Sequence, residues 1–179
     1  MDADGVLHFW FEEIDPRLWF RKDAQFDRLI KAKFLALHEQ AHSCELSTWR
    51  HTAHGALAEI LVLDQFSRNI FRDSPQAFAS DPLALGLAQE AVCRKFDAEL
   101  QLRQRAFLYM PFMHSESSVI HQQAEALFSH PGLEENLRFE LRHKEIIDRF
   151  GRYPHRNAIL GRESTPEEIE FLKGAGSSF

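Results

Sequence analysis

Residues 26–42 read FDRLIKAKFLALHEQAH, and their spacing decides the fold class. Phe26, Ile30, Phe34, Leu37 and Ala41 are separated by four, four, three and four positions, which puts them on one face of an α-helix. The period returns at Leu57, Ile60 and Leu61, and again at Phe139, Ile146 and Phe150. No segment alternates polar and apolar residues as a half-buried strand does. The pattern predicts an all-α fold of about eight helices with short connections, packed as antiparallel pairs.

Helix punctuation agrees. In SDPLALGLAQEAVCRKF, Ser80 or Asp81 is the cap and Pro82 stands in the first turn. In STPEEIEFL, Thr165 is the cap, Pro166 follows, and Thr165 and Glu168 have capping-box spacing. HPGLEEN separates a helix ending near His130 from one starting near Leu133. Pro111 is expected to end or kink the helix through RAFLYM, because it lacks an N–H and crowds the preceding turn.

The 179 residues fit one domain, 1–179, and 44% hydrophobic residues with 16 phenylalanines suit a packed core. An excess of 27 acidic over 21 basic residues argues against nucleic acid or an anionic membrane as partner, since both are held by clustered positive charge. Cys44 and Cys93 lie far apart with no CxxC and read as free thiols of a reducing compartment. MDADGVLHFW lacks the features of a signal peptide, and ALAEILVL is far shorter than the ~20 residues of a spanning helix. A cytoplasmic location is the expectation.

Several constellations carry chemistry. HEQAH, residues 38–42, fits the HExxH pattern, in which His38 and His42 would hold zinc and Glu39 act as base. Helical phase opposes it: Glu39 falls nearly opposite the Phe34 and Ala41 stripe, and no third ligand is evident. No metal and no cofactor is therefore assigned. His51 and His54 in WRHTAH read as surface polar residues. In LDQFSRNIFR, Asp64 shares the face of Leu57, Ile60 and Leu61 and needs a partner if buried; Arg68 stands four residues on, and Arg72 continues the row. In YMPFMHSES, His114 follows the proline break and Ser115 can cap the next helix. An anion could also sit at those free helix-start amides.

RFGRYPHRNAILGR, residues 149–162, gathers Arg149, Arg152, His155, Arg156 and Arg162 in a chain of net charge −6. Gly151 should close the preceding helix and Tyr153, before Pro154, should be extended, so the cluster lies in a turn that folds back. On the helix before it, His143 is in phase with Phe139, Ile146 and Phe150 and faces inward, with Arg142 on the flank. Guanidinium forks take carboxylates or phosphates at two points. The stretch is thus a clamp on buried acids, an anion receptor, or both.

LDQFSRNIFR, FLYMPFMHSE and RFGRYPHRNAILGRESTPEE together resemble the bacterial domain of unknown function 924 family, over nearly the whole chain. The resemblance implies a TPR-like arrangement of helix pairs and brings no established activity. Its motif positions are Asp64, Gln65, Arg68, Asn69, Pro111, His114, Ser115, Arg142, His143, Gly151, Arg152, Pro154, His155, Arg156 and Asn157. Ser67 stands where a proline is usual, and Ser117 where an acid is expected after HSE.

The leading expectation is a pocket between helices that binds a small anionic ligand bearing phosphate or carboxylate. His114 or His143 would be the general acid or base of a hydrolase or transferase. Asp64, Arg68, Arg142, Arg152, His155, Arg156 and Asn157 would bind the ligand. No GxSxG, Walker motif or Cys/His pair offers a nucleophile. The rival is a TPR-like protein–protein interaction module without catalysis, and a purely structural, dimer-forming domain is a third reading. Ligand, protein partner and oligomeric state stay open at this level.

Overall fold

The computed structural model describes residues 1–177, which form helices and turns with no strand among them. Helix α1 (Ala3–His8) runs on into a π-helical turn, Phe9–Glu13. Helix α2 spans Ala24–His42. Helix α3 is composite: Ala53–Leu61, a π-helical turn Val62–Phe66, then Ser67–Ile70. Then come α4 (Asp81–Cys93), α5 (Leu102–Met113), α6 (Ser118–Phe128), α7 (Glu134–Phe150) and the short α8 (Pro166–Phe171). Each helix from α2 to α6 packs on its successor, and α1 lies on α3. No described helix is long and apolar enough to cross a membrane.

The deciding stripe performs as its spacing requires: Phe26, Ile30, Phe34, Leu37 and Ala41 are all buried. Phe34 lies between Phe9 and Phe66, with ring centroids 4.9 and 4.5 Å away. Trp10 is fully buried against Phe26, Phe66 and Phe107. Truncating such a ring costs about 3–5 kcal/mol, through lost transfer energy and the cavity left behind. Phe34→Ala is therefore expected to lower stability by about that amount in a denaturant melt. A second, smaller cluster joins Ile146, Ile147 and Tyr153 to the half-buried Phe150 and Phe171.

The structure sharpens one expectation about helices and corrects another. Helix α5 passes through Pro111 and ends two residues later, at Met113. A proline this near the C-terminus leaves only one carbonyl, that of Phe107, without its usual helical donor. On α7 the buried positions are Glu140, His143, Ile146 and Ile147, whereas Phe139 is 52% exposed. The inward face is thus rotated from the one that Phe139 suggested, and Arg142 goes out to solvent with it.

Candidate functional site

The π-helical turn of α3 carries Asp64, which is 1% exposed. A π-turn widens the helix and disturbs its carbonyl ladder, and such turns often sit at functional sites. Two side chains meet the carbonyls there: Ser67 Oγ donates to Leu63 O at 2.5 Å and Arg68 to Asp64 O at 2.8 Å. The Asp64 carboxylate accepts from Gln65 Nε2 (2.6 Å) and His114 Nδ1 (2.6 Å), and its Oδ1 lies 3.2 Å from the Arg68 guanidinium.

His114 sits just past the end of α5, where helix carbonyls run out of intrahelical donors. Three consecutive carbonyls there are captured by three different side chains. Tyr153 Oη donates to Met113 O (2.5 Å), Arg156 donates to His114 O (3.0 Å), and His121 Nε2 donates to Ser115 O (2.8 Å). The backbone on both sides of His114 is held, while Asp64 holds its ring. The remaining ring nitrogen, Nε2, makes no hydrogen bond to the described residues.

Two guanidinium groups flank this imidazole. Arg68 makes a two-point contact with Asp81, at 2.9 and 3.1 Å. Arg156, 6% exposed, reaches the same carboxylate at 3.4 Å and lies between the rings of Phe78 (4.5 Å) and Tyr153 (4.7 Å). Its Nε is buried without a hydrogen-bond partner. Asp81 opens α4, as its place after Ser80 suggested, yet its side chain serves these two arginines rather than capping the helix alone.

Charge states follow from this packing. Burial disfavours a charged Asp64, but Arg68 and His114 outweigh burial and hold its pKa below the usual carboxylate range. Burial, and then Arg68, lower the pKa of His114 against the opposing pull of Asp64. His114 is therefore neutral near pH 7. An ionised carboxylate can only accept, so the ring proton is on Nδ1 and the lone pair on Nε2. Arg156 is lowered by burial and by Arg68, in keeping with a cation that Asp81 only partly compensates.

Tyr153 is the hub behind the cluster. It is 1% exposed, extended as expected before Pro154, and its ring meets those of His121, His143 and His155 at 6.2, 5.8 and 5.5 Å. His143 is inward as expected, but its Nδ1 donates to Phe139 O at 2.7 Å, and burial first of all takes its pKa down to about 3. Burial, then Arg156, lower His155 to about 4. Both histidines back the tyrosine, and His114 alone has its ring nitrogen on Asp64.

The other arginines of 149–162 find acids. Arg152 clasps Glu168 at 2.7 and 2.8 Å, and Asn157 Nδ2 donates to the same carboxylate at 3.2 Å. Arg162 clasps Glu116 at 2.7 and 2.9 Å, and Glu116 also accepts from the Tyr153 N–H at 2.7 Å. Arg149 pairs with Glu167 at 2.8 Å. The stretch is thus mainly a clamp, and Arg156 is its one member at His114. Arg152 and Asn157 serve Glu168, His155 lies against Tyr153, and the exposed Arg142 lies over Phe139 at 5.9 Å.

In the HExxH segment, His38 Nε2 bonds Ser67 Oγ at 2.7 Å and His42 Nδ1 bonds Ser80 Oγ at 3.0 Å, while Glu39 is exposed. The Ser67 hydroxyl, where a proline was usual, is thereby a fixed partner of a buried histidine. No three metal-binding side chains gather among the described residues. Ser117, not Ser115, is the N-cap of α6, and Ser115 Oγ accepts from the Ser117 N–H at 3.2 Å.

Sequence reasoning missed Asp81, Glu116, Tyr153, His121 and Glu140 as members of the site. His121 and Glu140 are both fully buried, bond each other at 2.7 Å, and leave Glu140 Oε2 without a hydrogen-bond partner. Burial pushes the Glu140 pKa up. The signal existed for His121: it shares a helical stripe with Ala124 and Phe128.

Comparison with other proteins agrees with this architecture. Residues 6–176 match a family described as bacterial protein of unknown function (DUF924). A solved structure of a protein of unknown function from Agrobacterium tumefaciens is 41% identical, with a TM-score of 0.91 over 96% of this chain and 97% of that one. No curated protein matches the chain.

Proposed function

The chain belongs to the bacterial DUF924 family of unknown function, and we propose that it binds a small phosphate- or carboxylate-bearing ligand at His114, with His114 Nε2 as the proton acceptor of a hydrolase or transferase reaction. One observation carries this reading: a neutral imidazole is anchored on an ionised carboxylate through Nδ1, leaving a lone pair on Nε2, in a residue whose carboxylate partner lies 3.2 Å from Arg68 and whose backbone carbonyl is held by Arg156.

The chemistry follows. Nε2 takes a proton from an incoming water or hydroxyl as its oxygen bonds to the phosphorus or acyl carbon. The bond to the leaving group breaks, and the imidazolium returns the proton to that group. Asp64 favours the imidazolium while it lasts. Arg156, partly compensated at 3.4 Å by Asp81, and Arg68 supply positive charge to the developing oxyanion. The other site residues assigned from sequence act at a distance: His143 and His155 through Tyr153, Arg152 and Asn157 through Glu168.

The test is a thermal-shift screen of inorganic phosphate, phosphate monoesters and small carboxylates. A ligand at about 100 times its Kd adds ~2.7 kcal/mol and raises Tm by several degrees. His114→Ala and Arg156→Lys are expected to melt cooperatively and to lose that rise. The successive packing of α2 to α7 favours a second reading, a TPR-like interaction module. That reading predicts large Tm losses in both variants and no response to any anion.

A further inference from the structure

A hollow lies away from His114. The chain after α1, the first turns of α5 and the α6–α7 connection enclose a cleft of about 340 Å³. That is the size of a small-molecule site at the lower end of the usual range. Its walls are Trp19, Phe20, Leu102, Phe107 and Leu133, with Arg103 among them. Phe20 is 70% exposed and lies parallel to Phe107 at 6.0 Å, and Leu102 is 43% exposed at the same cleft. Gly132, with φ +92°, brings the connection so near Leu102 that a Cβ there would come within 2.7 Å of it.

We infer that this cleft is a binding site for a small amphipathic carboxylate, its apolar body against Trp19, Phe20 and Phe107 and its carboxylate on Arg103. Charge complementarity identifies the occupant. The chain has 27 acidic residues, yet none of them lines the cleft. Arg103 is exposed, donates to Phe11 O at 3.0 Å, stacks over Phe11 and Trp19 at 5.4 and 5.5 Å, and pairs with no carboxylate among the described residues. Those contacts fix the guanidinium plane and use part of its donor set, leaving a two-point edge for an incoming acid. Exposed aromatic and aliphatic surface beside an uncompensated, immobilised cation is the inverse image of a carboxylate with an apolar body. The site does not depend on the reading of His114.

The test is a titration of the full chain with octanoate, followed through its three tryptophan indole N–H signals. The Trp19 signal, assigned with Trp19→Phe, is expected to move saturably while that of Trp49 stays. Arg103→Met keeps the stem and should weaken binding roughly tenfold or more, the worth of one charge-assisted contact. 1-Octanol should be weaker by a similar factor. Phe20→Ala, at an exposed ring, should weaken binding less, and His114→Ala should leave it unchanged. Equal binding of octanol and octanoate, indifference to Arg103→Met, or no saturable shift would overturn the proposal. So would a Trp19 signal that moves with protein concentration alone, which would mark the cleft as a contact between copies.

Discussion

Two buried ionic groupings in this molecule are built differently. In one, Arg50 holds Glu59 through Nε and Nη2, each at 2.7 Å, so both oxygens of a fully buried carboxylate are occupied. In the other, Asp64, His114, Arg68, Asp81 and Arg156 are linked in a chain that leaves Arg156 Nε buried without a hydrogen bond, and no described residue bonds His114 Nε2. A structural clamp closes its valences, because an unmet buried polar group costs stability. The second grouping leaves valences open, and three side chains hold the backbone around its histidine.

The largest expected effect breaks the closed pair. Arg50→Ala strands Glu59 in the core and should cost about 3–5 kcal/mol in a denaturant melt, the usual penalty for an unpaired buried charge. Tyr153→Phe removes one donor from the His114 clamp and leaves Met113 O short of a partner. It should cost about 1–3 kcal/mol, and it should broaden the His114 ring signals in an NMR spectrum. A rigid His114 signal in that variant would show that the three-carbonyl clamp is not what positions the ring.

Protons sharpen the contrast further. Burial, then His42, hold the buried His38 at about 4, against an ordinary 6.5. His143, at about 3, is in the same position. Folded pKa values below the unfolded value mean that the unfolded chain binds the extra protons. The stability these groups contribute is fully present above about pH 6.5 and is lost as pH falls toward 4 and 3. Asp64, also depressed, adds stability above the ordinary carboxylate pKa that is lost only in stronger acid. Tm should therefore fall between pH 7 and pH 4, and His38→Gln should flatten part of that fall.

The helices were legible because their signal is local. Phe34 and Ala41 announce a face by spacing, and Thr165 with Glu168 announce a start, where both capping bonds form, at 3.2 and 2.7 Å. The buried Asp64 and its contact with Arg68 were legible for the same reason, being four residues apart on one helix. The site beyond that was not, because its bonds join distant segments. Asp81 reads as a cap, and only the fold turns its carboxylate toward Arg68 and Arg156. Glu116 and Glu168 look like loop and helix-start acids until Arg162 and Arg152 reach them. Arg142 was misplaced because the phase of α7 was taken from Phe139; counting from Ile147 and Glu140 turns it outward. The π-turn at Asp64 has no separate mark in the sequence, since its wider turn depends on what packs around it.

The protonation of His114 tests the difference between the two groupings most directly. A long-range proton–nitrogen NMR spectrum of the ring, compared with His114→Ala for assignment, distinguishes its two nitrogens. The structure predicts a neutral ring at pH 7, a proton on Nδ1, a bare Nε2, and titration below the ordinary imidazole range. In Asp64→Asn the preference for the Nδ1 proton should be lost. An imidazolium at pH 7, or a neutral ring with its proton on Nε2, would contradict the account: Nε2 would then carry no free lone pair.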